Sequence, residues 1–152
     1  GVVEYFPQGP QDAIIEAHRV LKPGGLIFMM APASNPVTQF VYDDQNFLYK
    51  LRRNALVRKF MGKPPLQPQE KHLTYFKLHG RDEMRIILET FKFKIIHEQP
   101  MSHSFNLYLG CECFHKDING RTNSLAEGLA AVLRKFFPWS SCNYFLFVGE
   151  KQ

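Results

Sequence analysis

The sequence predicts an α/β fold, because a helix, an abrupt stop and a buried strand follow one another near its start. Over residues 10–22 apolar side chains recur at helical spacing, which predicts a helix with one face turned to a core. The run Lys-Pro-Gly-Gly at 22–25 ends this helix, since proline cannot continue it and glycine permits a left-handed turn. Residues 26–31 are apolar without alternation, as is typical of a parallel strand covered on both faces.

Residues 1–6 predict another strand, so that 1–6, 10–22 and 26–31 form a βαβ unit with two parallel strands. Open α/β sheets bind ligands at the edge where their parallel strands end. The side chains at this edge are expected to line a cleft: Glu4, Tyr5, Phe6 and residues 31–35.

Helical spacing of apolar side chains recurs twice later in the chain. It predicts amphipathic helices over 82–91 and 124–136, the second with a capping box formed by Ser124 and Glu127. The apolar positions are Met84, Ile87, Leu88 and Phe91 in the first helix, and Leu129, Val132, Leu133 and Phe136 in the second. Apolar runs at 94–99 and 144–150 predict strands.

Residues 36–72 are predicted to form an insertion that acts as a mobile lid over the cleft. Residues 33–43 are predicted as a loop, a helix is expected to run from Asp43 or Asp44 to about Met61, and the proline-rich segment 63–69 cannot be regular. The formal charge of +5 is concentrated here, in six cations with no acid among them: Lys50, Arg52, Arg53, Arg58, Lys59 and Lys63. We expect these cations to meet an anionic acceptor or a membrane surface.

Composition and length fit one globular domain. The chain has 152 residues, 45% hydrophobic and 22% charged, which excludes disorder throughout. No apolar run approaches the ~18 residues of a membrane span, and no leader opens the chain, so a soluble, cytoplasmic location is expected. Because Gly1 already lies inside a predicted strand, we expect the natural protein to extend further toward the N-terminus.

The three cysteines predict reduced thiols. Cys111, Cys113 and Cys142 are odd in number and lack the spacing of a disulfide framework. Cys111 and Cys113 with His115 lack the paired Cys-x-x-Cys spacing of zinc sites, so no metal is predicted.

A family resemblance is carried by the run HRVLKPGG at 18–25 followed by an apolar strand. This run resembles the segment between the fourth and fifth strands of class I S-adenosylmethionine-dependent methyltransferases. Residues 1–6 are similar to the end of that family's fourth strand, although a histidine more often stands at the place of Tyr5. The pair Tyr75 and Phe76, the helix at 84–93 and a terminal strand follow in the family's order, with Lys92 at a place where the family usually has glycine.

The resemblance implies the C-terminal half of a three-layer Rossmann-like sheet, forming one partial domain over 1–152. It also implies that the last strand runs antiparallel beside the strand at 94–99. The implied cofactor is S-adenosyl-L-methionine, with the backbone of Gly1, Val2 and Val3 facing its methionine part. Catalysis needs a positioned acceptor and sometimes a base, which assigns Glu4 and Tyr5 as catalytic. Side chains around the cleft are assigned to the substrate: Phe6, Ser34, Asn35, Tyr42, Tyr75 and Phe76.

Each assignment has a structural alternative. Glu4 could cap a loop and Tyr5 could pack, while Tyr42, Tyr75, Phe76 and Tyr108 could be core residues in a chain that is 14% aromatic.

The family's glycine-rich loop and its ribose-binding acid have no counterpart in this sequence, because Gly24 and Gly25 follow a helix rather than a strand. We therefore expect the isolated chain to bind S-adenosylmethionine poorly and to be inactive alone. Either an N-terminal segment is missing, or another chain supplies that part of the site, or this piece binds no cofactor at all. The apolar faces that the missing half leaves exposed also predict marginal stability or a dimer.

Two functions remain open from the sequence. The first is methyl transfer to a small-molecule or lipid acceptor, with this chain supplying the acceptor side of the cleft. The alternative is a non-catalytic module whose basic segment 50–63 binds nucleic acid or an anionic membrane surface. Nucleic acid is disfavoured because Phe60 is the only aromatic side chain interleaved with these cations.

Overall fold

The computed structural model describes residues 3–42, 50, 54–60, 62, 77–117 and 119–152. Its helices are α1 (Gln11–Val20), α2 (Pro36–Tyr42), α3 (Ala55–Phe60), α4 (Arg81–Thr90), α5 (His103–Gly110), α6 (Ser124–Phe136) and α7 (Pro138–Ser141). Short 3₁₀ turns lie at Val3–Tyr5 and Glu112–Phe114. The strands are β1 (Leu26–Pro32), β2 (Phe93–Met101) and β3 (Tyr144–Lys151). The predicted α/β fold class is confirmed.

The three strands form one sheet in the order β1-β3-β2. β3 lies in the centre and runs antiparallel to both neighbours, so β1 and β2 are parallel to each other. The predicted antiparallel pairing of the last two strands is therefore confirmed. A bulge between Ile95 and His97 shifts the register of β2. Gly149 allows close packing in the centre, because a Cβ there would lie 3.1 Å from atoms of both Ile27 and Phe93.

The prediction that residues 1–6 form a strand parallel to 26–31 is wrong. Val3–Tyr5 is a 3₁₀ turn, and β1 is an edge strand of the described sheet. Burial on both faces is wrong as well, since Phe28 is 69% exposed. A strand is covered on both sides only when distant segments pack over it, and an apolar run does not reveal whether they do.

The core lies on the other face of the sheet. Ile14 from α1 and Met84 and Leu88 from α4 pack against buried side chains of the strands, among them Phe145 and Phe147. The apolar spacing of α1 and α4 thus predicted part of the core correctly.

Three local predictions are corrected by the structure, and a fourth is only partly covered by the described residues. Residues 36–42, predicted as loop, form α2, which begins at Pro36 and is capped by Asn35. The cap of α6 is Asn123, whose side chain accepts from the Ala126 N–H at 3.1 Å, and not Ser124. The predicted helix from 43 to 61 lies partly outside the described residues, which show α3 at its end. On α6 itself, Leu129, Val132 and Phe136 are exposed rather than packed inward.

The chain turns from α4 into β2 at Lys92. Its φ is +63°, a left-handed conformation that costs little for glycine and more for other residues. Lys92, which stands where the resembling family usually has glycine, therefore adopts a strained backbone conformation.

Candidate functional site

The two parallel strands β1 and β2 end at the same edge of the sheet. Pro32 at the end of β1 and Met101 at the end of β2 both pair with Tyr144, the first residue of β3. Just beyond, the Ala33 N–H donates to the carbonyl of Asn143 at 2.8 Å. This is the edge at which open α/β sheets bind ligands.

Residues 77–79 fasten the start of the chain to this edge. The His79 N–H donates to the carbonyl of Pro32 at 3.0 Å, and the Ser34 N–H donates to the carbonyl of His79 at 2.7 Å. The Lys77 N–H donates to the carbonyl of Glu4 at 2.9 Å. The 3₁₀ turn that carries Glu4 is thereby held beside the end of β1.

A carboxylate and three phenols lie near enough here to act on one another electrostatically, and we call them the Glu4 cluster: Glu4, Tyr5, Tyr42 and Tyr144. Glu4 is buried, with 2% of its surface exposed, while Tyr5 is exposed. Burial raises the pKa of Tyr42, a hydrogen bond with Asn143 acts in the opposite direction, and neighbouring Tyr5 and Glu4 again raise it. Burial also raises the pKa of Tyr144, with contributions from Tyr42, Glu4 and Tyr5. The four side chains therefore share one electrostatic neighbourhood, in which the phenols of Tyr42 and Tyr144 stay protonated at neutral pH.

His79 adds a neutral imidazole beside the cluster. Its side chain is fully buried, and burial lowers its pKa, although the carboxylates of Glu83 and Glu4 act in the opposite direction. The His79 Nδ1 lies 3.8 Å from Glu83 Oε2, and Lys77 Nζ holds the other oxygen of Glu83 at 2.7 Å. Within the described residues neither ring nitrogen of His79 has a hydrogen-bond partner.

A chain of buried amides and a hydroxyl reaches the cluster through Asn143, which is hydrogen-bonded to Tyr42. Asn143 Nδ2 donates to Asn106 Oδ1 at 2.6 Å, and Asn106 Nδ2 donates to Thr38 Oγ1 at 3.1 Å. Asn35 Nδ2 donates to the carbonyl of Cys142 at 2.6 Å, and its Oδ1 accepts from the Thr38 N–H at 2.9 Å. Because these bonds tie α2 to α5 and to the start of β3, they fix the helix that carries Tyr42.

The sequence reasoning missed Thr38, Asn106, Asn143 and His79. Asn143 stands directly before the last apolar strand, where a polar residue at the ligand-binding edge could have been noticed. Thr38 and Asn106 gave no such signal, because their contacts span 68 residues of sequence.

The predicted site residues fall into three groups: some lie in the Glu4 cluster, some lie outside the described residues, and the others have different surroundings. Glu4, Tyr5 and Tyr42 are brought together, whereas Gly1, Val2, Tyr75 and Phe76 lie outside the described residues. The remaining predicted site residues are Val3, Phe6, Ser34 and Asn35. Val3 packs against the core and Phe6 is exposed. Ser34 Oγ accepts from Gln39 Nε2 at 2.9 Å, and the Asn35 amide is engaged by Thr38 and Cys142.

A cavity of about 270 Å³ opens where β2 passes into α5. Its wall includes residues 99–104 and, from α6, Glu127 and Arg134. Burial lowers the pKa of His103 in this wall, and the charge of Arg134 lowers it further. His103 Nδ1 lies 3.1 Å from Ser141 Oγ, so the ring is fixed by α7.

The basic segment is not a uniform solvated surface. Arg58 is buried at 6% exposure and its Nη1 lies 2.6 Å from Glu112 Oε1, while Lys50 and Lys59 are exposed. Arg52, Arg53 and Lys63 lie outside the described residues. Treating Arg58 as one of the ligand-binding cations was therefore wrong, because an ion pair inside the protein engages it.

Tyr108 stacks on His115 with ring centroids 3.8 Å apart. Cys142 is buried, and the sulfurs of Cys111 and Cys113 lie 2.7 Å apart without a disulfide.

Across the described ranges, no group of three or more histidine, cysteine or acidic side chains could hold a metal ion. No described helix combines the length and apolar character needed to cross a membrane.

No protein-family model matches this sequence, and no curated protein matches it. Solved structures do. The crystal structure of the [4+2]-cyclase SpnF is 15% identical with a TM-score of 0.40, over 93% of this chain and 44% of that chain. The crystal structure of the mycolic acid cyclopropane synthase CmaA1 complexed with SAH and CTAB is 15% identical with a TM-score of 0.49, over 99% of this chain and 53% of that chain.

This chain thus spans about half the length of the solved structures it matches.

Proposed function

We propose that this chain forms the acceptor side of an S-adenosylmethionine-dependent methyltransferase that acts on a small molecule or a lipid. The sequence resemblance at 18–25 supports the reaction class. The observation that carries the proposal is the Glu4 cluster, in which a buried carboxylate, on a residue whose backbone Lys77 holds near the end of β1, acts electrostatically on the phenols of Tyr42 and Tyr144.

The cluster suits a reaction that depends on placing a nucleophile and holding its proton. The Glu4 carboxylate accepts a hydrogen bond from a hydroxyl or amine of the acceptor and can take its proton. The protonated phenols of Tyr42 and Tyr144 donate to acceptor oxygens. His79, neutral because burial lowers its pKa, adds a second group that can accept a proton nearby.

The residues present fit one end of the proposed cofactor. A carboxylate and the faces of tyrosine rings attract a cation such as a sulfonium. When bound, S-adenosylmethionine supplies an activated methyl group. Holding its adenosine part needs the glycine-rich loop and the acidic residue that this sequence lacks, so the proposal requires another segment or chain for that half of the site.

The test uses the longest natural polypeptide that contains this chain, incubated with methyl-labelled S-adenosylmethionine and with separate small-molecule and lipid extracts. Glu4→Gln keeps the shape of the side chain and removes the base, so we expect kcat to fall by about 10²-fold. Glu16→Gln is the matched control, because Glu16 is 61% exposed and pairs with Arg19 on the same helix. Absence of labelled product in every extract, or full activity of Glu4→Gln, would contradict the proposal.

A further inference from the structure

Two cysteine thiols lie side by side at the 3₁₀ turn Glu112–Phe114. The sulfurs of Cys111 and Cys113 are 2.7 Å apart, and the Cys113 N–H donates to the Cys111 sulfur at 3.4 Å. Cys113 is exposed and Cys111 is half-buried, so the pair is accessible from solvent. The proposed methyl transfer makes no use of these thiols.

Contacts from two other parts of the chain fix the backbone that carries the thiols. Asn123 Nδ2, next to the start of α6, donates to the carbonyl of Cys113 at 2.7 Å. Glu112, between the two cysteines, is held through its Oε1, which lies 2.6 Å from Arg58 Nη1. The fold therefore holds the two thiols together, beyond what their closeness in the sequence provides.

The separation of the sulfurs is close to that of a bonded pair. A disulfide bond is about 2.05 Å long. From 2.7 Å, the sulfurs of Cys111 and Cys113 need to approach by less than about 1 Å to reach that length. The pair is thus placed to close into a disulfide.

The third cysteine has the opposite surroundings. Cys142 is 1% exposed, and burial raises the pKa of its thiol. Because the accessible thiolate is the form that reacts with disulfides, Cys142 is expected to be inert while the chain is folded. The chain therefore combines one accessible pair of thiols with an internal reference thiol.

We propose that Cys111 and Cys113 form a reversible dithiol–disulfide site that exchanges with small-molecule disulfides of the glutathione disulfide class. The Cys113 thiolate bonds to one sulfur of the small disulfide, whose S–S bond breaks and whose other half leaves as a thiolate. The Cys111 thiolate then bonds to the Cys113 sulfur and expels the second half. The two cysteines lose two electrons, the small disulfide gains them, and the two thiol protons pass through water to the two leaving thiolates.

The test incubates the folded 152-residue chain with glutathione disulfide and follows its intact mass and its peptide map. We expect the peptide that contains Cys111 and Cys113 to lose two hydrogens and to carry no glutathione, and we expect dithiothreitol to restore its mass. Cys142 should stay unmodified, which shows that the chain is folded during the reaction. No reaction at the pair, or a glutathione that stays bound to Cys113, would overturn the proposal.

Single substitutions separate the two steps. Cys111→Ser removes the resolving thiol, so glutathione should stay bound to Cys113 in this variant. Cys113→Ser is the matched control and should react more slowly, because its remaining thiol is only half-buried rather than fully exposed. Far-ultraviolet circular dichroism checks that both variants are folded. The same product from Cys111→Ser as from the wild type would contradict the assigned roles.

A comparison with the unfolded chain tests the contribution of the fold, since any Cys-x-Cys pair can close to some extent. The equilibrium constant of the exchange at residues 111–113 is measured by peptide mapping in buffer and in urea. We expect it to be about tenfold or more higher in the folded chain, because the fold already holds the two sulfurs together. An equal or lower constant in the folded chain would show that the fold does not build this site, and the proposal would fail.

Discussion

The ion pair between Arg58 and Glu112 gives the sharpest prediction about stability. Arg58 lies on α3, within the basic segment, and its side chain is 7% exposed, while that of Glu112 is 26% exposed. Removing one partner of a buried pair costs about 3–5 kcal/mol, because the other charge is left without compensation. Since Glu112 retains some contact with water, we expect Arg58→Gln to cost about 2–3 kcal/mol.

For a chain of this length, 1 kcal/mol corresponds to about 2–4 °C in the midpoint of thermal unfolding. Arg58→Gln should therefore lower that midpoint by about 4–12 °C, measured by circular dichroism together with urea unfolding. Lys59→Gln is the matched control, because Lys59 is its exposed neighbour and surface substitutions usually change stability by less than about 0.5 kcal/mol.

A double-mutant cycle with Glu112→Gln separates the pair from other effects. We expect a coupling free energy of at least about 1 kcal/mol that changes little with salt, since a buried pair is poorly screened. If Arg58→Gln and Lys59→Gln change the free energy of unfolding equally little, and Arg58 shows no coupling to Glu112, the reasoning is refuted. Arg58 would then behave as an ordinary solvated cation.

Three further predictions concern single positions and the whole chain. Lys92→Gly should raise the free energy of unfolding by up to ~1 kcal/mol in urea, because glycine relieves the left-handed turn at φ +63°. Stability should fall as pH drops below about 6.5, since burial lowers the pKa of His79 and the unfolded chain binds the proton more readily; the slope in urea titrations should be smaller in His79→Gln. The isolated chain should show no micromolar S-adenosylmethionine binding by calorimetry, and such binding would contradict the incomplete site argued from the sequence.

Local sequence determined most helices and strands. Proline and glycine at 22–25 end α1 whatever surrounds them, and the apolar spacing of 84–91 and 124–136 marks two helices, because both signals depend on residues a few positions apart. Glu4 and Tyr5 were also chosen from the sequence, through the family resemblance rather than through any pattern of their own.

Tertiary structure decided what each element contacts. The same apolar spacing packs Met84 inward on α4 and turns Phe136 outward on α6. The run at 26–31 forms an edge strand of the described sheet, with Phe28 exposed. Arg58 reads in the sequence as one cation among six, yet Glu112, 54 residues away, takes it into an ion pair. Periodicity shows that a helix has two faces, but only the segments packed against it decide which face is buried, and those segments lie far away in the chain.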